Sequence, residues 1–235
     1  MSRGEVVSRD EWLVARKTLL KKEKDFTHLR DELSRERQAL PWVRVDKQYV
    51  FEGTQGRETL ADLFGKCSQL VVYHFMFHPS WEEGCPSCSF WADSFNGIGI
   101  HLAHRDVSLV AISKARLEQL VAFRKRMGWS FKWVSSFAND FNRDYHVSFN
   151  DEEMKRGVME YNYCQQSFPS EEAPGISVFS KEADGTVFHT YSCYARGLDM
   201  MNAAYQYLDL VPKGRDEATL RHTQAWVRYH DRYED

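Results

Sequence analysis

The first forty residues carry a spacing of apolar positions that predicts one long helix. Residues 8–11 read Ser-Arg-Asp-Glu, a capping box in which Ser8 accepts a backbone N–H and Glu11 accepts one in return. No proline follows before Pro41, and good helix formers dominate. One apolar residue recurs every seven positions, at Trp12, Leu19, Phe26, Leu33 and Leu40. We therefore expect the helix 8–38 to lie across its own domain or a partner subunit. An extended coiled coil is disfavoured because a sustained second apolar track is missing.

Beyond Pro41 the apolar pattern alternates between the periods of strands and of helices. Residues 42–51 alternate apolar and polar side chains and are followed by a turn at Gly53 and Gly56, which predicts a strand or one half of a hairpin. Residues 70–77 form a near-continuous apolar run, which is typical of a strand buried on both faces. Helical spacing then covers 89–104, a second buried strand 107–113, and an amphipathic helix 115–127.

The second half of the chain has a weaker pattern. A short strand is predicted at 131–135, and residues 136–174 show no clear period. The segments 175–179 and 186–191 flank Asp184-Gly185, a strong signal for a β-hairpin. Residues 197–208 predict a closing helix.

This order of elements predicts an α/β fold. A β-α-β unit followed by a β-hairpin and a helix is the thioredoxin order, so we expect a thioredoxin-like three-layer sandwich with a long N-terminal helical extension. The expected boundaries are an extension at 1–40, the thioredoxin-like domain at 41–212 and a C-terminal tail at 213–235. The polar tail carries three aromatic residues expected to dock on the domain: Trp226, Tyr229 and Tyr233.

Composition and charge exclude several classes of protein. The 235 residues are 43% hydrophobic with a net charge of −3, so we expect no nucleic-acid-binding face. The apolar runs are too short to span a bilayer, and the N-terminus lacks the apolar region of a secretory signal. The five cysteines are odd in number and widely spread, which disfavours a disulfide framework and favours a reducing cytoplasm.

One cysteine pair has the spacing of a redox site. Cys85-Pro86-Ser87-Cys88 follows the strand 70–77 and precedes the helix 89–104, the position of a thioredoxin-type dithiol. In this place Cys85 would have a lowered pKa and attack a disulfide, and the more buried Cys88 would resolve the mixed disulfide. The expected partner is a protein or small-molecule thiol or disulfide, with no cofactor.

Three other interpretations of the pair stay open at this point. His74 and His78 precede the cysteines, so the four side chains could bind zinc. A low-pKa thiolate could instead reduce a peroxide, although the Thr-x-x-Cys motif of typical peroxiredoxins is missing. The cysteines could also be inert, in a non-catalytic interaction module that dimerises through the helix 8–38.

Several neighbours are candidates for the surroundings of the pair. Trp81 is predicted to wall a substrate groove, whereas Trp91 is predicted to belong to the core. Pro174, before the strand that begins near 175, is the one proline placed to face the dithiol, and we predict a substrate-binding role for it. Glu82 and Glu83 would oppose thiolate formation if close, and are predicted to be solvated loop charges.

Long stretches of the sequence resemble domain-of-unknown-function family 899. The stretches begin at positions 39, 70, 127 and 176 and read ALPWVRVDKQYVF, LVVYHFMFHPSWEEGCPSCSFWAD, MGWSFKWVSSFANDFNRDY and ISVFSKEADGTVFHTYSCYARGLDMMNAAYQYLDLVPKGRDE. The family comprises bacterial and fungal thioredoxin-like proteins described as predicted dithiol-disulfide oxidoreductases. The resemblance implies a thioredoxin-like fold and, for Cys85 and Cys88 alone, a redox role. The motif departs from thioredoxin's Trp-Cys-Gly-Pro-Cys, because its proline directly follows the first cysteine.

Overall fold

The computed structural model describes residues 4–234, and its chain divides into two compact units at Pro41 and Trp42. The first unit contains helix α1 (Arg9–Gln38). The predicted capping box is confirmed: the Glu11 N–H donates to Ser8 Oγ at 3.3 Å, and the Ser8 N–H donates to Glu11 Oε2 at 2.9 Å. No residue of α1 is buried, and Phe26 in its apolar stripe is 64% exposed.

The second unit is built on a mixed β-sheet. Its first six strands are β1 (Val43–Arg44), β2 (Val50–Gly53), β3 (Gly56–Thr59), β4 (Gln69–His74), β5 (Val107–Ser113) and β6 (Lys132–Ser135). A separate hairpin of β7 (Met159–Tyr161) and β8 (Cys164–Gln166) precedes β9 (Gly175–Lys181) and β10 (Val187–Tyr194). The eight-stranded sheet has the order β1-β10-β9-β4-β5-β6-β2-β3. Strands β4, β5 and β6 are parallel, and β9 pairs antiparallel with both β4 and β10.

Helices and short turns cover both faces of this sheet. The helices are α2 (Pro86–Ala92), α3 (Phe95–Ala103), α4 (Leu117–Arg126), α5 (Phe141–Asp144), α6 (Asp151–Arg156) and α7 (Ala203–Leu208), with 3-10 turns at Asp62–Phe64 and Ala195–Met201. One core lies between the sheet and α2, α3, α4 and α7, and includes Tyr73, Trp91, Phe123, Trp133 and Tyr205. The other core packs Leu70, Val72, Val110 and Phe179 against α5 and the first 3-10 turn. Successive residues of β4 thus face opposite cores, as the continuous apolar run predicted.

The architecture is a thioredoxin-like three-layer sandwich with a long N-terminal helix. The path β4-α2-α3-β5 is a β-α-β unit, and the β9-β10 hairpin and α7 follow it. The hairpin turns at Asp184-Gly185, where Gly185 has φ +88°. Strand β9 runs antiparallel to its neighbour β4. The residues before β9 therefore lie at the same end of the sheet as the residues that follow β4.

Residues 42–51, predicted to be a strand or one half of a hairpin, contribute to two strands, and the hairpin is the correct alternative for β2, which turns back into β3. The segment divides between β1, which pairs with β10, and β2, which pairs with β3 and β6 near the opposite edge of the sheet. The apolar alternation identified the buried side chains correctly, since Tyr49 just before β2 and Phe51 within it are both buried. Local alternation carries no information about which edge of a sheet a strand joins.

Two predicted helices are interrupted. The helix predicted at 89–104 starts earlier, at Pro86, and breaks between α2 and α3, where the Asp93 carboxylate accepts the indole N–H of Trp129 at 2.8 Å. The closing helix predicted at 197–208 is a 3-10 turn followed by α7, whose first turn is capped by the side chain of Asn202. The first break coincides with a tertiary hydrogen bond and the second with a local helix cap.

The aperiodic segment 136–174 contains α5, α6 and the β7-β8 hairpin. The hairpin turns at Asn162 and Tyr163, whose φ angles are +52° and +63°. A two-residue turn with both φ angles positive is usually Asn-Gly, so a tyrosine at the second position concealed this hairpin.

The residues assigned to a tail, 213–235, fall in the second unit. Two of the three aromatics expected to dock do so: Tyr229 is 7% exposed, and Trp226 packs against the core that holds α2. Tyr233 is 48% exposed. Within residues 4–234, no helix has the length and apolar character needed to cross a membrane.

Candidate functional site

The predicted dithiol lies where β4 leads into α2. The Cys85 N–H donates to the Met76 carbonyl at 3.0 Å, which returns the chain to the end of the strand. Cys85 is the residue before the first helical position, and Pro86 takes that position, where a missing N–H has no cost. A Cβ added to Gly84 would lie 2.6 Å from the Phe75 ring, so only glycine allows this close approach.

The two cysteines have different environments. Cys85 is partly exposed, whereas Cys88 is 2% exposed and its Sγ accepts the Met76 N–H at 3.4 Å. A hydrogen bond from the Cys88 thiol lowers the pKa of Cys85, and backbone amides of Cys88 and Ser87 assist against the effect of burial. Burial raises the pKa of Cys88 well above its usual value, and the hydrogen bond and charge of Cys85 add to this. The first cysteine is therefore the more accessible thiol with the lower pKa, and the second is a buried thiol with the higher pKa.

Of the two acidic residues before the pair, Glu82 is exposed, as predicted, whereas Glu83 is paired with two arginines. Glu83, predicted to be a solvated loop charge, accepts hydrogen bonds from the guanidinium groups of Arg126 at 2.5 Å and Arg232 at 2.6 Å. Arg126 also pairs with Asp231 at 2.8 Å. Because Glu83 is held by two cations, its negative charge is compensated beside the dithiol loop.

The C-terminal segment packs directly on this loop. The Tyr229 hydroxyl donates to the Gly84 carbonyl at 2.7 Å. Trp226 lies edge-on to Phe90 of α2, with ring centroids 5.4 Å apart. These contacts attach the loop before Cys85 and the outer side of α2 to the end of the chain. The aromatic residues of the tail were visible in the sequence, but nothing there pointed to Gly84 as their partner.

A cavity of about 390 Å³ opens beside the two cysteines. Both thiols line it, together with Ser87 and Met76. Its remaining walls come from the β7-β8 region, the turn after β10 and the C-terminal segment, and include Tyr161, Phe168, Ala195, Leu198 and Gln224. This volume lies in the lower part of the range typical of small-molecule pockets.

The predicted substrate-binding residues are divided between the cavity and the core. Pro174 lines the cavity, and its peptide bond is trans, as are all those described in residues 4–234. Trp81 lies outside the cavity lining, packs against the core and approaches His78 with ring centroids 6.2 Å apart. Trp91 is buried, as expected, and also forms part of the cavity wall.

Tyr161 has a role that the sequence did not indicate. Its hydroxyl donates to the Pro174 carbonyl at 2.7 Å and accepts the Ala195 N–H at 3.0 Å. The ring therefore joins the segment before β9 to the turn after β10, on either side of the cavity. Its position in the concealed β7-β8 hairpin explains why the sequence pattern missed it.

The zinc alternative lacks the necessary geometry. His74 faces the core opposite the dithiol, where its Nε2 is hydrogen-bonded to Ser177 Oγ at 2.8 Å. His78 is bonded to Ser80 at 2.7 Å. In the described part of the chain, no group of three or more His, Cys, Asp and Glu side chains is placed to hold a metal ion.

Comparison with known proteins gives the family. The profile of the family described as "Bacterial protein of unknown function (DUF899)" matches residues 1–233, so the chain belongs to this family and the predicted resemblance is confirmed. A search of curated proteins finds no match.

Solved structures with a similar fold are peroxiredoxins and related proteins. The peroxidoxin BcpB from Mycobacterium tuberculosis is 13% identical, with 72% of this chain and 97% of that chain aligned at a TM-score of 0.45. Peroxiredoxin Q from Xanthomonas campestris is 17% identical, covering 67% and 89% at a TM-score of 0.40. The mitochondrial 2-Cys peroxiredoxin from Plasmodium falciparum is 12% identical, covering 72% and 92% at a TM-score of 0.40. At this level, similarity carries no information about activity.

Proposed function

We propose that this member of the DUF899 family is a thiol-disulfide oxidoreductase in which Cys85 attacks and Cys88 resolves. The observation that supports this best is the asymmetry of the pair: an accessible thiol with a lowered pKa lies beside a buried thiol with a raised one, at the edge of a cavity. A disulfide-exchange site needs both properties. The nucleophile must be ionised and accessible, and the resolving thiol must stay protonated until the mixed disulfide has formed.

The two pKa shifts also support the order of the steps. The Cys85 thiolate attacks one sulfur of a disulfide, forms a mixed disulfide and releases the other sulfur as a thiolate. Cys85 then loses its charge, so two of the causes that raise the pKa of Cys88 disappear. Cys88 can now give its proton to solvent or to the released thiolate, attack Cys85 Sγ and expel the second substrate thiolate. The protein ends as a disulfide, and the substrate as two thiols.

The experiment is a redox titration of the purified protein. The protein is equilibrated in dithiothreitol buffers of graded potential, quenched by alkylation, and its intact mass and cysteine-containing peptides are measured. We expect a two-electron transition that joins Cys85 to Cys88 and is abolished by Cys85→Ser. Cys164→Ser, which changes an exposed cysteine outside the cavity lining, should leave the transition in place. If no Cys85–Cys88 disulfide forms at any potential, the chain is a non-catalytic module of this fold.

Two further assignments belong to the same proposal. The odd number and wide spread of the five cysteines support a reducing cytoplasm as the compartment. The exposed stripe of α1, which includes Trp12 at 46% and Leu19 at 52% exposure, would provide a homodimer contact. Deleting residues 1–38 should then convert a dimer into a monomer in light scattering. An unchanged oligomeric state would refute the contact.

A further inference from the structure

We propose that the Cys85–Cys88 pair acts on low-molecular-weight disulfides with uncharged aromatic substituents, rather than on disulfides within extended polypeptides. This inference rests on the proposed oxidoreductase function and names its substrate class. It depends on three observations: the backbone N–H groups of the segment before β9 are already hydrogen-bonded, the cavity wall shows ring surface, and the charges at the cavity rim are paired.

The segment before β9 has its backbone N–H groups already hydrogen-bonded within the protein. An extended polypeptide binds by pairing its backbone with free N–H and C=O groups of its partner. Here the Glu172 N–H donates to Ser170 Oγ at 3.5 Å, and the Ala173 N–H donates to the Val147 carbonyl at 2.9 Å. Pro174 has no N–H, and its carbonyl is taken by Tyr161. Residues 172–174 therefore offer a polypeptide no free backbone donor.

The aromatic rings in the cavity wall have their polar atoms hydrogen-bonded within the protein. The Trp91 indole N–H donates to the Leu198 carbonyl at 2.8 Å. The Tyr161 hydroxyl is bonded on both sides, and Tyr73 is hydrogen-bonded to Cys88. Because the polar atoms of these rings have partners within the protein, the rings present carbon surface to the cavity. Phe168 adds a ring with no polar atom. Such walls favour apolar, flat substituents.

The charged side chains at the cavity rim are paired. Asp199 lines the cavity and pairs with Arg196 at 3.1 Å and with Arg215 at 2.8 Å. Arg215 pairs in turn with Asp209 at 2.8 Å. These four residues form a chain of alternating charge, so the carboxylate and guanidinium groups at this rim are paired with one another. A neutral substituent therefore loses the least hydration free energy when it enters this cavity.

The reaction balances without a further co-reactant. A disulfide RSSR enters the cavity, and the Cys85 thiolate forms Cys85–S–S–R while RS⁻ leaves. Cys88 then displaces the second RS⁻ and closes the Cys85–Cys88 disulfide. Two electrons pass from the protein dithiol to RSSR, and the two cysteine protons end on two RSH molecules.

The test compares three oxidants of the pre-reduced protein. They are a benzylic disulfide, bis(2-hydroxyethyl) disulfide and a disulfide-linked pair of extended peptides, all with alkyl thiols as leaving groups. Oxidation is followed by the mass of alkylated samples, and each rate is divided by the rate of the same oxidant with dithiothreitol. We expect the benzylic disulfide to have the highest normalised rate, about tenfold above the hydroxyethyl compound, and the peptides the lowest.

A variant connects this preference to the cavity. Phe168→Ala should lower the normalised benzylic rate by about two- to tenfold, the range expected for loss of one aromatic contact, and leave the hydroxyethyl rate unchanged. Tyr207→Ala, at a tyrosine that is 73% exposed outside the cavity lining, is the matched control and should change neither rate.

The outcomes separate the two proposals. Oxidation by none of the three compounds refutes the oxidoreductase function itself. Oxidation in which the peptide disulfide equals or exceeds the benzylic compound refutes the substrate class and leaves the function intact. Equal normalised rates for the two small disulfides, or a Phe168→Ala variant that slows both equally, refute the aromatic preference.

Discussion

The hydrogen bond between the two thiols allows a direct test of how Cys85 is activated. It is the largest of the causes that lower the pKa of Cys85. Cys88→Ala removes the donor, whereas Cys88→Ser keeps an O–H group at nearly the same place. The alanine variant should therefore raise the pKa of Cys85, and the serine variant should keep most of the lowering.

The size of the effect follows from the energy of a hydrogen bond to a charged group. Such bonds contribute about 1.5–3 kcal/mol, and a thiol is a weak donor, so the lower end applies. A loss of about 1.5 kcal/mol corresponds to about a tenfold decrease in the thiolate fraction at a pH below the pKa. Backbone amides of Ser87 and Cys88 remain as donors in both variants, so the thiolate is weakened rather than abolished.

The assay is the pH dependence of alkylation of Cys85 by iodoacetamide under pseudo-first-order conditions. A background with Cys67→Ser and Cys164→Ser removes the other two cysteines that are not buried. Circular dichroism of each variant controls for folding. If the alanine and serine variants have the same pH profile, the bond between the thiols does not activate Cys85, and the reasoning is refuted.

Two further predictions concern stability. Tyr229→Phe leaves the Gly84 carbonyl without its partner and should lower the free energy of unfolding in urea by about 1–3 kcal/mol, whereas Tyr207→Phe on the surface should change it little. Burial lowers the pKa of His74 from 6.5 to about 3 and raises that of Glu172 from 4.5 to about 8. Below pH 6.5 the unfolded state binds a proton that folded His74 does not, so the His74 contribution to stability falls on acidification. Folded Glu172 keeps a proton that the unfolded state loses above pH 4.5, so its contribution falls on alkalinisation. Each of these two groups changes the free energy of unfolding by about 1.4 kcal/mol per pH unit within its range. Urea titrations should therefore show a decline in stability from pH 6.5 to 8, and Glu172→Gln should remove the decline; a variant that keeps it would contradict the assignment.

The sequence predicted the parts of the site that depend on local pattern. The apolar run of β4, the cysteine spacing and the Asp184-Gly185 turn each have a signature within a few residues, and the structure confirms their places. The capping box at Ser8 is also a signal formed by residues close together in the chain. Such signals are readable because the chemistry that produces them acts between near neighbours in the chain.

The parts that were missed depend on contacts between distant residues. Tyr161 binds backbone groups 13 and 34 residues away, and Tyr229 binds Gly84 across 145 residues. The compensation of Glu83 by Arg232 spans 149 residues. No local pattern reports such pairings, so the sequence could locate the thiols but could not describe the walls around them.

The two edges of the sheet have a consequence for self-assembly. β1 is only two residues long, and β3 carries the charged side chains of Arg57 and Glu58. A short strand and a charged strand are the devices by which sheets avoid acting as templates for fibrils. Chains of this protein should therefore resist edge-to-edge polymerisation at high concentration, and any ordered assembly would need to use side-chain surfaces rather than added strands.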